Sequence, residues 1–529
     1  MGVSVQKIRV AVTVIFLVFI GSMSLGNREL LKNPVNNFIH VKAGFKKTTK
    51  VIASNLVSNQ LRFKNSFINL NGFFARVCGK RKCNDVLLLK DNILTFDDDK
   101  TDWEKEWKTE LAVKKTIELA EFSKQLNIPF VYVVTPYKIS TCQDNLPQGI
   151  YNPINKITDK FLKELSVAGV SSLDLRPHFS ATSEHIRKYF YRTDHHWSPD
   201  AAFLAYQDIM SEIERIDFKK RRIKSYYSSI DSWKRYEKKE WTLGSHGKRV
   251  GIYFAGVDPL IYYIPRFATK MSAIMPYERI MYKGDYAAAN IREKYIQNSD
   301  YFNYHPGSVC IGDNYPLVHH YNFDAPNKEK ILILRDSFGL PLEAFMSTEF
   351  SEIDTLDSRF YKASTIAEYI LWNRPDLVLL IRYTRSTGDP VFRFDNYINN
   401  SINSYRDKKV LLKEYNASLA ASKSNYNHAI IPVLLQAGKT YSVSLKDIRI
   451  TQGKTDGVSA VLYDFKKNRI VNQDIFDVEF CNKSHEDVKW TFKVPEVKSE
   501  YALLVYAGIP GKTKNISVDY SGINVSLLN

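Results

Sequence analysis

Serine, histidine and aspartate can between them move an acyl group, and this sequence offers them in two short stretches. The first is Ile331-Leu332-Ile333-Leu334-Arg335-Asp336-Ser337-Phe338-Gly339. Its four apolar residues, two of them β-branched, read as a buried strand, and the polar turn after them leads into a stretch, Leu340 to Phe350, that can be helical. A hydroxyl at such a turn stands at the carboxyl edge of a parallel sheet. There a substrate can reach it, and N–H groups at the helix start, those of Phe338 and Gly339, can stabilise an oxyanion. Serine alone is a poor nucleophile; it needs a base, and the base needs an orienting group. The best candidates for both lie upstream, in Tyr191-Arg192-Thr193-Asp194-His195-His196-Trp197-Ser198-Pro199. Alone, an Asp-Ser pair after a strand is more often a turn that caps the next helix. The two stretches together, each at the end of an α/β element, are the stronger signal.

The elements that must position these residues can be read in order. Asp85 to Leu89 reads as a first strand, followed by a helix with Val113, Ile117 and Ala120 on one face. Phe130 to Val134 is a buried strand ending in Thr135-Pro136-Tyr137-Lys138. A helix around Ile157 to Val167 leads to a strand at Val170 to Asp174. Such alternation favours a parallel sheet covered on both faces. Ser198 is a good N-cap, Pro199 suits the first helical position and Asp200 complements the dipole of a helix running to about Ile213. Asp194 and His196 then sit just before that helix in extended chain, where residues two apart share a side and adjacent ones oppose. On that reading His195 and His196 face opposite ways, which disfavours a metal site on Asp194, His195 and His196; no metal or other cofactor is expected. Residues 218–327 are less regular, tyrosine-rich and basic at their start, and read as an insertion forming one wall of a cleft. Strands at Ser351 to Leu356 and Pro375 to Ile381 resume the alternation, the second leading to Arg382-Tyr383-Thr384-Arg385.

The chain has 529 residues, room for two or three domains, and its 44% hydrophobic and 25% charged residues are those of a globular protein. A net charge of +17 suits an anionic neighbour as well as a merely solvated surface. Neither zinc-finger spacing nor an RNA-binding aromatic motif supports nucleic acid. Five cysteines, without paired spacing, form no disulfide framework. Ile8 to Leu25 is almost uncharged and apolar, with Lys7 and Arg9 at its edge. Residues 1–27 are therefore expected to be a cytoplasmic tip and one transmembrane signal anchor, uncleaved because no Ala-x-Ala site is present, with a cleaved signal peptide the alternative that small Ser24 and Gly26 leave open, and the body periplasmic or extracellular. After a polar, Asn-rich linker, Thr440 to Leu445, Val458 to Phe465, Val488 to Val494, Ala502 to Tyr506 and Ile516 to Tyr520 read as short strands of a β-sandwich over 415–529.

With Ser337 and Thr193-Asp194-His195-His196-Trp197 both in view, the chain resembles the DHHW and AlgX/AlgJ-like polysaccharide O-acetyltransferases, which have an SGNH-hydrolase-like domain. Supporting matches are Asp336-Ser337-Phe338-Gly339, Asp357-Ser358-Arg359-Phe360, and Pro375-Asp376-Leu377-Val378 with Arg385 at its end. The opening is Arg335-Asp336-Ser337 where the family more often has Gly-Asp-Ser. The resemblance implies an SGNH-like acyltransferase domain over 28–395, with Ser337 as nucleophile, His196 as base and Asp194 as its orienter. Arg385, Tyr137 and Trp197 are candidate substrate contacts. It also implies a polysaccharide substrate, a carbohydrate-binding role for the C-terminal module, and a membrane O-acyltransferase as acetyl donor. Two alternatives stay open: an acetyl esterase using the same groups on water, and a non-catalytic polysaccharide-binding assembly factor.

Overall fold

The computed structural model describes residues 63–97, 107–138, 152–179, 183–216, 225–275, 278, 280–361, 365–373 and 375–398, and from 410 onward mainly strand segments. The expected anchor, residues 1–27, lies outside the described residues. Among those described, no helix is long and apolar enough to cross a membrane. The chain divides into two compact units. Among the described residues one comprises helix α1 (Lys64–Val77) and its neighbours with residues 247–256, and the other the rest.

The larger unit alternates helix and strand as its periodicity demands. Helix α2 (Thr109–Gln125) precedes β1 (Phe130–Thr135); α3 (Ile154–Val167) precedes β2 (Ser171–Asp174); α4 spans Pro199–Ile216. A two-stranded ribbon follows, β3 (Trp233–Thr242) and β4 (Asp258–Pro265), then β5 (Met271–Met275), β6 (Ile280–Gly284) and β7 (Leu317–Asn322). The last group is β8 (Asn327–Leu334), α5 (Gly339–Met346), β9 (Phe350–Leu356), α6 (Ile366–Asn373) and β10 (Leu377–Tyr383). The α4 start follows its caps, with the Ala201 N–H donating to Ser198 Oγ at 3.3 Å.

The main sheet has eight strands in the order β2-β1-β10-β8-β9-β7-β5-β6. The first five run parallel. Alternate residues of β8 face opposite ways: Ile331 and Ile333 pack with α4, while Leu332 and Leu334 pack with α2 and α6. Apolar layers on both faces explain why β1, β8 and β10 read as continuous apolar runs. The expectation of an all-parallel sheet needs correction, because β7, β5 and β6 are antiparallel. Only residues 323–326 separate β7 from β8, too few for the crossover of a dozen or more residues that a parallel step needs. Much of the supposed insertion at 218–327 is therefore the far edge of the sheet. The expected first strand is Val86–Leu88, but it belongs to a small three-stranded sheet.

Beyond residue 410 all the expected strands are present. β11 (Thr440–Gln452), β13 (Glu486–Lys493), β15 (Ile516–Tyr520) and β16 (Gly522–Leu527) share one sheet. β12 (Val458–Asp464) and β14 (Tyr501–Ala507) pair in another.

All eight residues of α5 are buried, so this helix has no solvent face. Its charged residue, Glu343, is met by Arg335 from the end of β8, with Nε to Oε2 at 2.9 Å and Nη2 to Oε1 at 3.2 Å. A Cβ at Gly339 would stand 2.7 Å from Arg335 Cβ, so the arginine stem lies where only glycine leaves room. Arg335→Leu should strand Glu343 and cost about 3–5 kcal/mol, whereas Arg335→Leu with Glu343→Leu should recover most of it. Urea denaturation of the two variants checks this.

Candidate active site

Ser337 follows β8 at the carboxyl edge of the parallel strands, half-buried, with α5 beginning two residues on. Its turn is built by Asp336. One carboxylate oxygen accepts the Phe338 N–H at 2.9 Å; the other accepts the Tyr383 N–H at 2.9 Å and the Ser386 hydroxyl at 3.2 Å. Asp336 thus ties the serine turn to the end of β10. It also overturns one expectation. The Phe338 N–H is taken by this carboxylate and the Gly339 N–H by the Asp336 carbonyl at 3.0 Å, so neither is available to an oxyanion.

The second stretch meets the first across the sheet edge. His196 Nε2 lies 2.7 Å from Ser337 Oγ, and His196 Nδ1 lies 2.5 Å from Asp194 Oδ1. Asp194 is fully buried. Its Oδ1 also accepts the His196 N–H at 2.9 Å, and its Oδ2 accepts the Ser245 N–H at 2.5 Å. Trp197 closes the junction, its indole N–H donating to the Phe338 carbonyl at 3.1 Å.

The loop is not the extended chain expected from sequence. Residues 192–196 form a run of bends, and the His195 and His196 rings lie side by side, centroids 3.8 Å apart. His195 Nδ1 is 3.4 Å from Asp194 Oδ1 and 2.8 Å from Ser245 Oγ. A buried carboxylate draws both rings to itself, and the chain bends to allow it. Asp194, His195 and His196 are thus close enough together to hold a metal ion. However, both nitrogens of His196 are already spent on Asp194 and Ser337, so ligation would cost it one of those partners.

Three residues that the sequence reading passed over hold this loop. Lys138, 1% exposed, donates to the carbonyls of Tyr191 at 3.0 Å and Arg192 at 3.1 Å and also to that of Asp194. Asp258 accepts the N–H groups of Arg192 at 3.0 Å and Thr193 at 2.7 Å, and the Thr193 hydroxyl at 2.6 Å. Gly244 packs so tightly that an added Cβ would stand 2.2 Å from Asp194 Cβ. The only local signals were a lysine just past a strand end and a glycine inside an irregular segment. Their partners lie 50 or more residues away.

Burial alone would raise the Asp194 carboxyl, but the charges of His195 and His196 and the His196 hydrogen bond hold it well below the usual range. His195 is pushed well below the usual imidazole value by burial, then by His196, Lys138 and Arg385, against the opposing pull of Asp194. Of the other expected contacts, Trp197 lines the cleft beside Ser337, but Tyr137 and Arg385 do not. Tyr137 is buried edge-on against Tyr383, ring centroids 5.7 Å apart. The cleft holds about 260 Å³ and is walled by residues 305–310, Asn314, Arg359 and the α5 start. Asn314 is fixed through its Oδ1, which accepts from Arg335 Nη1 at 3.1 Å, leaving its amide nitrogen as the donor.

This geometry can be set beside known proteins. Residues 96–238 match the family model described as the SGNH hydrolase-like domain of acetyltransferase AlgX, a stretch that takes in Asp194 and His196. Over that stretch the resemblance to AlgX-type acetyltransferases is borne out. Among solved structures, the chain is similar to PatB1 of Bacillus cereus, at 24% identity over 58% of this chain and 99% of that one, with a TM-score of 0.50. It is also similar to a DHHW family protein of Eubacterium siraeum (21% identity, 55% and 90% covered, TM-score 0.39). AlgX of Pseudomonas aeruginosa is more distant (12% identity, 84% and 94% covered, TM-score 0.34). At such identities the likeness to PatB1 establishes the fold. Among curated proteins, none matches the sequence.

Two outcomes follow from the packing and charges. Gly244→Ala should displace Asp194 and destabilise the protein by about 1–3 kcal/mol, read by thermal melting. In pH terms, His195 has a folded value below its unfolded one near 6.5 and Asp194 one below about 3.9. The unfolded chain therefore takes up each proton first. The stability each group contributes is full above the unfolded value and is lost as pH falls toward the folded one. Denaturation at about pH 7.5 and about pH 5.5 should show a smaller stability loss for His195→Gln than for the parent.

Proposed function

We propose that this protein is an exported serine acyltransferase that O-acetylates a cell-surface or secreted polysaccharide through an acyl-Ser337 intermediate. The observation that carries the reading is the unbroken chain from Ser337 Oγ through His196 to Asp194, at 2.7 and 2.5 Å, opening into the cleft. Its acetyltransferase character is supported by the AlgX family match.

In the first half-reaction Ser337 Oγ attacks the carbonyl carbon of an acetyl donor while its proton passes to His196 Nε2. The donor's leaving group takes that proton, and acetyl-Ser337 remains. In the second half-reaction a sugar hydroxyl gives its proton to His196 and attacks the acetyl carbonyl. Ser337 leaves and is reprotonated by the same imidazole. Asp194 fixes the tautomer with Nε2 free to accept and stabilises the imidazolium. The oxyanion is met by the Asn314 side-chain amide and the Ser337 N–H, in place of the Phe338 and Gly339 amides. The acetyl donor is a membrane O-acyltransferase, because an exported enzyme has no access to cytoplasmic thioesters. The anchor in residues 1–27 holds the body at the same membrane face. The strands over 415–529 form a β-sandwich that binds glycan.

Purified protein mixed with an activated acetyl ester should gain one acetyl group on Ser337 by mass spectrometry, and Ser337→Ala none. In a deletion strain, Ser337→Ala should leave the polymer without ester-linked acetate while the variant folds and is exported normally, since losing one half-buried turn hydroxyl costs about 1 kcal/mol. Normal acetate with Ser337→Ala would sink the enzymatic reading in favour of an assembly factor, and excess acetate would point to an esterase. Asp194→Asn should lower the rate by several orders of magnitude, roughly 10⁴-fold where the aspartate only orients its histidine. His195→Ala should be milder than His196→Ala, because only His196 reaches Ser337.

A further inference from the structure

Helix α1 is packed inside out. Its buried residues are the small ones, Gly72 and Ala75. A Cβ on Gly72 would stand 1.9 Å from the Val250 carbonyl oxygen, so the turns at 247–256 press on a face without bulk. The large apolar residues lie on the other side. Phe63, Phe67, Leu70, Phe74 and Val77 recur at intervals of three and four, which places them on one helical stripe. Phe63, Leu70, Phe73, Phe74 and Val77 are 45–68% exposed. Tyr253, 61% exposed, extends the patch, its ring meeting Phe73 edge-on with centroids 6.1 Å apart. A contiguous aromatic surface of this kind marks an interaction site.

Charge says what covers it. Between Glu29 and Asp85 the sequence holds eleven lysines and arginines and no carboxylate. Arg76, Lys80 and Arg81, exposed at the C-terminal end of the stripe, belong to that run. A second copy would bring the same positive charge against itself. A bilayer with anionic headgroups offers what both halves of the surface need, hydrocarbon for the phenylalanines and negative charge for the basic residues. We propose that α1 lies in the plane of an anionic membrane surface, with Leu70, Phe73 and Phe74 among the upper acyl chains. This contact is separate from the expected anchor upstream and does not depend on the chemistry proposed for Ser337.

The test uses the full chain reconstituted in vesicles of mixed phosphatidylglycerol and phosphatidylcholine carrying a diazirine on one acyl chain. After irradiation and digestion, lipid adducts should map to the peptide covering 63–77. Their yield should fall roughly fivefold or more in the Phe73→Ser, Phe74→Ser double variant, and should also fall in vesicles of phosphatidylcholine alone. An unchanged melting temperature of the double variant separates lost binding from lost fold, because both side chains are solvent-exposed. Adducts confined to the apolar run at 8–25, a yield indifferent to the double substitution, or α1-to-α1 cross-links between copies would each overturn the proposal.

Discussion

A carboxylate with no exposure to water needs partners for all its oxygen lone pairs, and Asp194 takes them from everything around it. It holds the His196 ring and backbone, draws in His195, and takes the Ser245 N–H, so the bend at 194–196 and the chain at Ser245 are fixed by one negative charge. The rest of the loop is shaped to make that burial affordable. Lys138 gathers the carbonyls that the bends leave pointing inward, and Asp258 gathers the N–H groups. The two are opposite charges doing complementary jobs on one stretch of backbone. The His196–Ser337 hydrogen bond carries this network to the nucleophile at the cleft.

The serine turn follows the same logic on a smaller scale. Asp336 spends its oxygens on the Phe338 N–H and on the end of β10, and Arg335 spends its guanidinium on Glu343 and Asn314. Arg335, directly before the Asp336-Ser337 turn, is therefore accommodated inside the fold. The arginine side chain goes under α5, Gly339 gives it room, and its far end orients a residue of the cleft wall.

Much of this was legible in the sequence because it is local. The apolar runs of β1, β8 and β10, the Ser198-Pro199 start of α4, and the Asp194-x-His196 and Asp336-Ser337 pairs all announce themselves within a few residues. What was missed depends on distant chain. The antiparallel edge of the sheet hides in segments too polar to read as strands, such as Leu317–Asn322 with its two histidines. The bend at 192–196 follows from Lys138 and Asp258, which lie roughly sixty residues to either side. The amides of Phe338 and Gly339 looked available because the turn conformation that occupies them is set by contacts with β10.

Trp197 bridges the two halves of the site directly, its ring buried and its indole N–H on the Phe338 carbonyl. A tryptophan has only two side-chain torsions, and in a packed core both are held. The histidine one residue before it and the serine one residue before its acceptor therefore ride on a common strut. A tie of this kind helps to hold the distance between the histidine and the serine. In the mechanism proposed above, the proton-transfer distance is thereby set apart from the wall at 305–310, whereas Asn314, the oxyanion donor, has to keep its place.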